Sequence, residues 1–204
     1  MKSILIATHN KAKLSELKTG LYNLEKSGIK ILTLTDVGVE KDPEETGATF
    51  EENAKLKAKY YGDLTNLPTI ADDGGLIIPY LNNEPGVKSK RWMGREATDQ
   101  ELIDFALLKL KDCAGSKRTA FLETCLAFFT LGHPRGGQIL VEQEKVKGYI
   151  AEKSSDRPTQ GYPYRALFIV DKFGKFYDEL TEVEHQQVNH RLIALKRLVS
   201  RIKF

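Results

Sequence analysis

An unbroken apolar run, Ile4-Leu5-Ile6-Ala7, opens the chain and passes into the polar stretch Thr8-His9-Asn10-Lys11-Ala12-Lys13. A run without polar alternation predicts a central strand, over 3–8, covered on both faces. Leu14, Leu17, Leu21 and Leu24 then recur at helical spacing up to Ser27-Gly28, and 29–34 reads as a second strand. Strand, helix and strand in that order predict a parallel α/β unit. Thr49-Phe50-Glu51-Glu52 has the form of a capping box, which predicts a helix from there to Gly62 with Phe50, Ala54, Ala58 and Tyr61 on one face. Residues 68–71 predict a short strand running into a turn at Asp72-Asp73-Gly74-Gly75, followed by a strand over 76–80 and a turn over 82–86. A helix is expected over 99–111. The β-rich segments 118–130 and 138–150 flank a hairpin connection at 132–137, and 162–170 includes another strand. From Thr181 onward, Val188, Leu192, Leu195, Val199 and Ile202 form one helical stripe. No repeat or low-complexity linker interrupts the chain. The expectation is a single α/β domain over 1–204 with two lobes, the β-rich 114–150 being the smaller.

Composition narrows the function classes. The 204 residues carry 31 Lys plus Arg against 28 Asp plus Glu, a net charge of +3, with no clustered basic stripe. That is a poor surface for tracking a phosphate backbone, so no nucleic-acid partner is expected. No run approaches the ~20 apolar residues of a membrane span, and the opening apolar run is too short for a secretory signal. Cys113 and Cys125 have no zinc-ligand spacing and read as small buried hydrophobes of a reducing compartment. The expected location is the cytoplasm.

Four features could carry chemistry. The 8–13 stretch follows a buried strand and precedes a helix. Ligands gather at the carboxyl ends of such strands, and a helix N-terminus with lysines suits a polyanion. A plain strand-to-helix turn with solvated lysines fits the same spacing. The second feature is the acid-rich stretch Asp36, Glu40, Asp42, Glu44, Glu45, Glu51 and Glu52, most of which reads as a solvated face. The third is Asp72-Asp73. Adjacent carboxylates call for a positive partner, which Mg²⁺ supplies through carboxylate, water and phosphate oxygens; an acidic turn whose glycines take positive φ is the other reading. The fourth is Lys57, beside the buried stripe of its helix and one turn after Asn53. Either it reaches out to solvent or its ammonium balances carboxylates such as Asp72 and Asp73. Together these features point to metal-assisted attack on a phosphate ester or anhydride.

Ala7-Thr8-His9-Asn10-Lys11-Ala12-Lys13 with Glu16, the 45–54 stretch with Lys57-Ala58, Ala71-Asp72-Asp73-Gly74-Gly75-Leu76, and the 85–91 stretch follow each other along the chain. In that order they resemble the inosine triphosphate pyrophosphatase (Ham1-like) family. The likeness continues at Gly161-Tyr162-Pro163-Tyr164 and at His190-Arg191. The resemblance implies a two-lobed mixed α/β fold with an elongated central sheet and a cleft between lobes, assembled as a homodimer. It implies Mg²⁺-dependent cleavage of a nucleoside triphosphate into monophosphate and pyrophosphate, with ITP, dITP and XTP as substrates. Glu45 and Asp73 would be the metal-side carboxylates. Asp73 would also be the base for water, supported by Asp72 and Lys57. Thr8, Asn10 and Lys13 would hold the triphosphate, Tyr162 would stack on the base, and His190 and Arg191 would read the purine edge. Gly74, Tyr164, Arg165 and His185 fall at substrate-side positions. Three of them depart from the family pattern: Gly74 stands for a serine, Arg165 for an acid and His185 for a lysine. The alternatives are the same chemistry on another nucleotide, or a nucleotide sensor without turnover.

Overall fold

The computed structural model describes residues 2–131 and 137–202, so all but the last residue of the expected connection at 132–137 lies outside the described residues. The chain divides into two compact units. One comprises Met1–Asp73, Thr124–Glu144 and Arg191–Phe204, the other Gly74–Glu123 and Lys145–His190. The 114–150 segment, expected as a lobe of its own, is shared between them. Its strands are long enough, at 12 and 13 residues, to serve both cores.

In the first unit, β1 (Ser3–Ala7) lies parallel to β2 (Lys30–Thr33) and to the start of β3 (Thr69–Ile78). Helix α1 (Lys11–Lys26) begins earlier than its leucine stripe because the Asn10 side chain caps it, accepting from the N–H groups of Ala12 and Lys13. Helix α2 (Phe50–Thr65) has the expected capping box at Thr49 and Glu52. It runs one turn beyond Gly62 and stops where Asn66 turns left-handed. Ile4, Ile6 and Ile70 on one sheet face pack with Leu17 and Leu21 of α1, and with Ala194, Leu195 and Leu198 of the last helix.

The second unit holds β4 (Glu84–Pro85), antiparallel to the end of β3, and α3 (Asp99–Lys109), capped by Thr98. It also holds parts of β5 (Thr119–Thr130) and β6 (Gln138–Ile150), then β7 (Phe168–Val170) and β8 (Lys175–Phe176). Leu76, Ile78, Trp92, Leu102, Ile103 and Phe168 are among its core residues. Buried Arg118 donates to the carbonyls of Leu110, Cys113, Ile150 and Ala151, joining the end of α3 to the end of β6. The eight strands form one mixed sheet in the order β2-β1-β3-β5-β6-β7-β8, with β4 paired on β3.

Two sequence expectations fail in instructive ways. Asp72-Asp73-Gly74-Gly75 is the middle of the ten-residue strand β3, and neither glycine takes positive φ. Gly75 serves close approach instead, since a Cβ there would stand 2.0 Å from Ser89 Oγ. The C-terminal helix is two helices, α4 (Glu182–Val188) and α5 (His190–Arg201), broken at Asn189 where ψ reaches 92°.

Candidate active site

The register that pairs Ala7 with Ala71 places the turn after β1 beside Asp72 and Asp73. Successive strand residues face opposite sides of a sheet, so these two carboxylates do not confront each other, and each finds its own partners. Asp72 shares a face with Ile70, the side of α1 and α5. There its Oδ2 lies 3.0 Å from both Lys13 Nζ and Arg191 Nε, and its Oδ1 accepts from the Thr124 hydroxyl at 2.5 Å. Asp73 faces the other way and meets α2: its Oδ1 is 3.1 Å from Lys57 Nζ, which also donates to Glu45 Oε1 at 2.8 Å.

Opposite environments set the two acids apart. Burial alone would push the Asp72 carboxyl up, but the Arg191 guanidinium, the Lys13 ammonium and the Thr124 hydroxyl outweigh it and hold Asp72 well below the usual range. Burial pushes Asp73 up against the pull of Lys57 and Lys13. Burial likewise lowers Lys13, whereas the Asp73 and Glu45 carboxylates outweigh it at Lys57 and raise that ammonium. Asp72 is thus a fixed anion and Asp73 the more basic group, a division typical of acid–base sites. Arg191 also donates to Glu16 Oε2 at 2.6 Å. The Asp72 network (Lys13, Arg191, Asp72, Glu16) is then formally neutral, and the Asp73 network (Lys57, Asp73, Glu45) carries a formal surplus of one negative charge.

Thr8 and Asn10 flank this cluster in the turn after β1. The Thr8 hydroxyl accepts from the Asn10 N–H at 3.2 Å, and Asn10 caps α1. Lys57, Glu45, Asp73, Lys13 and Asp72 come together as a group. Arg191, given a place at the purine edge by the resemblance, pairs with Asp72 and Glu16. Thr124 escaped the sequence reading, because nothing in a β-rich segment marks the one hydroxyl that meets a carboxylate 52 residues away.

The remaining expected residues belong to the second unit. The Arg165 guanidinium carbon sits 3.6 Å above the Tyr162 ring and 4.7 Å from the Tyr177 ring. Tyr177 in turn packs edgewise on His185 and His190, with ring centroids 5.1 and 6.1 Å away. Tyr177 was invisible in the sequence, yet it contacts three expected base-side residues, Arg165, His185 and His190. Tyr164 is a core residue: it is buried, packs on Trp92, and donates its hydroxyl to the Ser89 carbonyl at 2.6 Å. Gly74 lies within β3 and offers no side chain.

The buried ion groups lie beside the turn that ends β1, the place where open α/β sheets bind their ligands. The model of the Ham1 family matches residues 4–201. The dITP/XTP pyrophosphatase of Bacillus subtilis is 39% identical, over 97% of this chain and 96% of its own length. The dITP/XTP pyrophosphatase of Haemophilus influenzae is 35% identical, over 98% and 99%. The solved Ham1 protein of Coxiella burnetii superposes with a TM-score of 0.83 at 35% identity, covering 98% of each chain. The chain belongs to the Ham1 family.

Proposed function

We propose that this chain is a Mg²⁺-dependent nucleoside triphosphate pyrophosphatase that clears deaminated purine nucleotides (dITP, ITP and XTP). The observation that carries the reading is Lys57 bridging Glu45 and Asp73 beside the Lys13–Asp72 pair. The relatives' names supply the substrate class.

The residues fit a magnesium ion. Asp73 Oδ2 is buried without a hydrogen-bond partner, an expensive arrangement unless something positive meets it. Glu45 and Asp73 offer hard oxygen donors held by one lysine. No trio of His, Cys, Asp or Glu groups into a metal site among the described residues, as suits an ion that keeps several waters and takes the rest of its ligands from phosphates. Glu45 and Asp73 would hold the ion, which supplies charge neutralisation at the phosphoryl oxygens. Lys57 orients both carboxylates. Lys13, Thr8 and Asn10 receive the triphosphate at the start of α1. Asp73 takes a proton from the attacking water as the bond between the α- and β-phosphates breaks and pyrophosphate leaves. Asp72 holds Lys13 in place. Pyrophosphate release across ITP, dITP, XTP and the standard NTPs and dNTPs tests the reading. Fast turnover of the deaminated purines supports it, a different preferred base leaves only the chemistry, and binding without turnover makes the protein a sensor.

On the base side, Tyr162 would stack on the purine, with His185 and His190 near its edge. Arg165 is 7% exposed between two rings, so it does not turn outward to solvent. A guanidinium only donates hydrogen bonds where a carboxylate accepts them. Arg165→Asp is expected to change the ratio of kcat/KM among ITP, XTP and GTP by about tenfold, the scale of one good contact to a purine edge. An unchanged ratio would remove Arg165 from the specificity set.

Among the described residues no helix is long and apolar enough to cross a membrane. Two free cysteines, Cys113 and Cys125, support a cytoplasmic location, since thiols stay reduced there. The resemblance supports a homodimer, so light scattering should give twice the 23.0 kDa chain mass; the mass of one chain would refute it.

A further inference from the structure

The acid-rich loop that carries Glu45 has no secondary structure over 39–47, so its position depends on side-chain tethers. Helix α2 provides three of them from one face. Asn53, Lys57 and Tyr61 follow each other at intervals of four residues, the spacing that stacks side chains along a helix. The Tyr61 hydroxyl donates to Asp42 Oδ1 at 2.6 Å and to the Lys41 carbonyl at 3.2 Å. Lys57 donates to Glu45. Asn53 Oδ1 accepts from the Gly47 N–H at 2.8 Å. Helix positions 61, 57 and 53 therefore meet loop positions 42, 45 and 47, in antiparallel order, like rungs of a ladder. The lower rung needs a glycine, since a Cβ at Gly47 would stand 2.5 Å from Asn53 Oδ1 and 2.9 Å from Asn53 N. Tyr61 and Asn53 are 0% and 1% exposed, so neither reaches a substrate in solution. Asp42 also lies 4.0 Å from His9 Nε2, in the turn after β1.

We propose that Tyr61, acting through Asp42, is a positioning residue for Glu45. With Asn53 at the other end, it fixes the loop so that the Glu45 carboxylate already stands at Lys57 and Asp73 before a metal ion binds. The inference rests on the reading of Glu45 as a metal-side carboxylate. A carboxylate on an untethered loop loses freedom at the moment of binding, and that loss weakens affinity; a tethered one has lost it on folding.

The test uses Tyr61→Phe, which keeps the buried ring, and Asp42→Ala, a surface change that leaves the core untouched. Mn²⁺ binding is read by electron paramagnetic resonance, and amide hydrogen exchange over 41–47 is read in metal-free protein. Both variants are expected to bind Mn²⁺ about tenfold more weakly, the lower end of what lost outer-shell partners cost. Exchange should be faster over 41–47, with kcat at saturating Mg²⁺ unchanged. Asp42→Asn, which keeps an acceptor oxygen for Tyr61, should behave as the native protein. Native Mn²⁺ affinity in Tyr61→Phe and Asp42→Ala, while Glu45→Gln binds weakly, overturns the inference alone. Native affinity in Glu45→Gln overturns the metal-side reading of Glu45 and the inference with it.

Discussion

Asp73→Asn is expected to lower kcat for pyrophosphate release from ITP by about 10²- to 10⁴-fold, the range for loss of a positioned general base. The amide has the shape of the carboxylate, and its oxygen can still accept from Lys57 at the place Asp73 Oδ1 holds now. What disappears is the negative charge for the metal and the capacity to take a proton. The fold should not suffer. Burial raises Asp73 above its ordinary value, so at neutral pH the native state bears a cost for keeping it ionised, and a neutral amide relieves that cost. Thermal unfolding should therefore show a midpoint at or above the native one. A variant that retains full turnover would remove Asp73 from the chemistry. One that unfolds early would mean that the Lys57–Asp73 pair is a structural bridge.

Arg191→Leu should have its largest effect on stability. It removes the guanidinium from Asp72, whose side chain is fully buried, and from Glu16. Breaking a buried pair by deleting one partner typically costs about 3–5 kcal/mol, because the other charge stays behind. Lys13 and Thr124 remain on Asp72, which favours the lower end. For a chain of this length about 3 kcal/mol lowers Tm by roughly 6–12 °C. Adding Asp72→Asn to that variant should recover part of the loss, since the stranded charge is then gone, and the two substitutions should be clearly non-additive. An unchanged Tm with altered purine selectivity would instead place Arg191 at the base, where the resemblance put it.

Much of the first unit was legible in the sequence. An apolar run without alternation gave β1, and Thr49 with Glu52 gave the start of α2. Asp72-Asp73-Gly74-Gly75 misled because acids and glycines mark turns in isolation. Here the acids are offset by Lys13, Arg191 and Lys57 from elsewhere in the chain, and Gly75 makes room for Ser89. The break at Asn189 has no Pro or Gly to announce it, and the apolar stripe runs through it. The Lys57–carboxylate contact was open to inference, since a lysine beside a buried stripe needs a partner. Its true partners are Asp73 and Glu45, while Asp72 looks to the other face of the sheet. Tyr61 read only as part of the apolar face of its helix, and Tyr177 was not singled out at all. Their functional contacts, to Asp42 and to Arg165, join residues 19 and 12 positions apart that no local pattern links.

As proposed above, Glu45, Lys57 and Asp73 form a metal-assisted centre for pyrophosphate release. The most direct measurement is product analysis after incubation with ITP, by phosphorus-31 resonance, with Mg²⁺ and with EDTA. Inosine monophosphate and intact pyrophosphate with Mg²⁺, and neither with EDTA, is the predicted result. Orthophosphate as the first product, or equal turnover in EDTA, would contradict it.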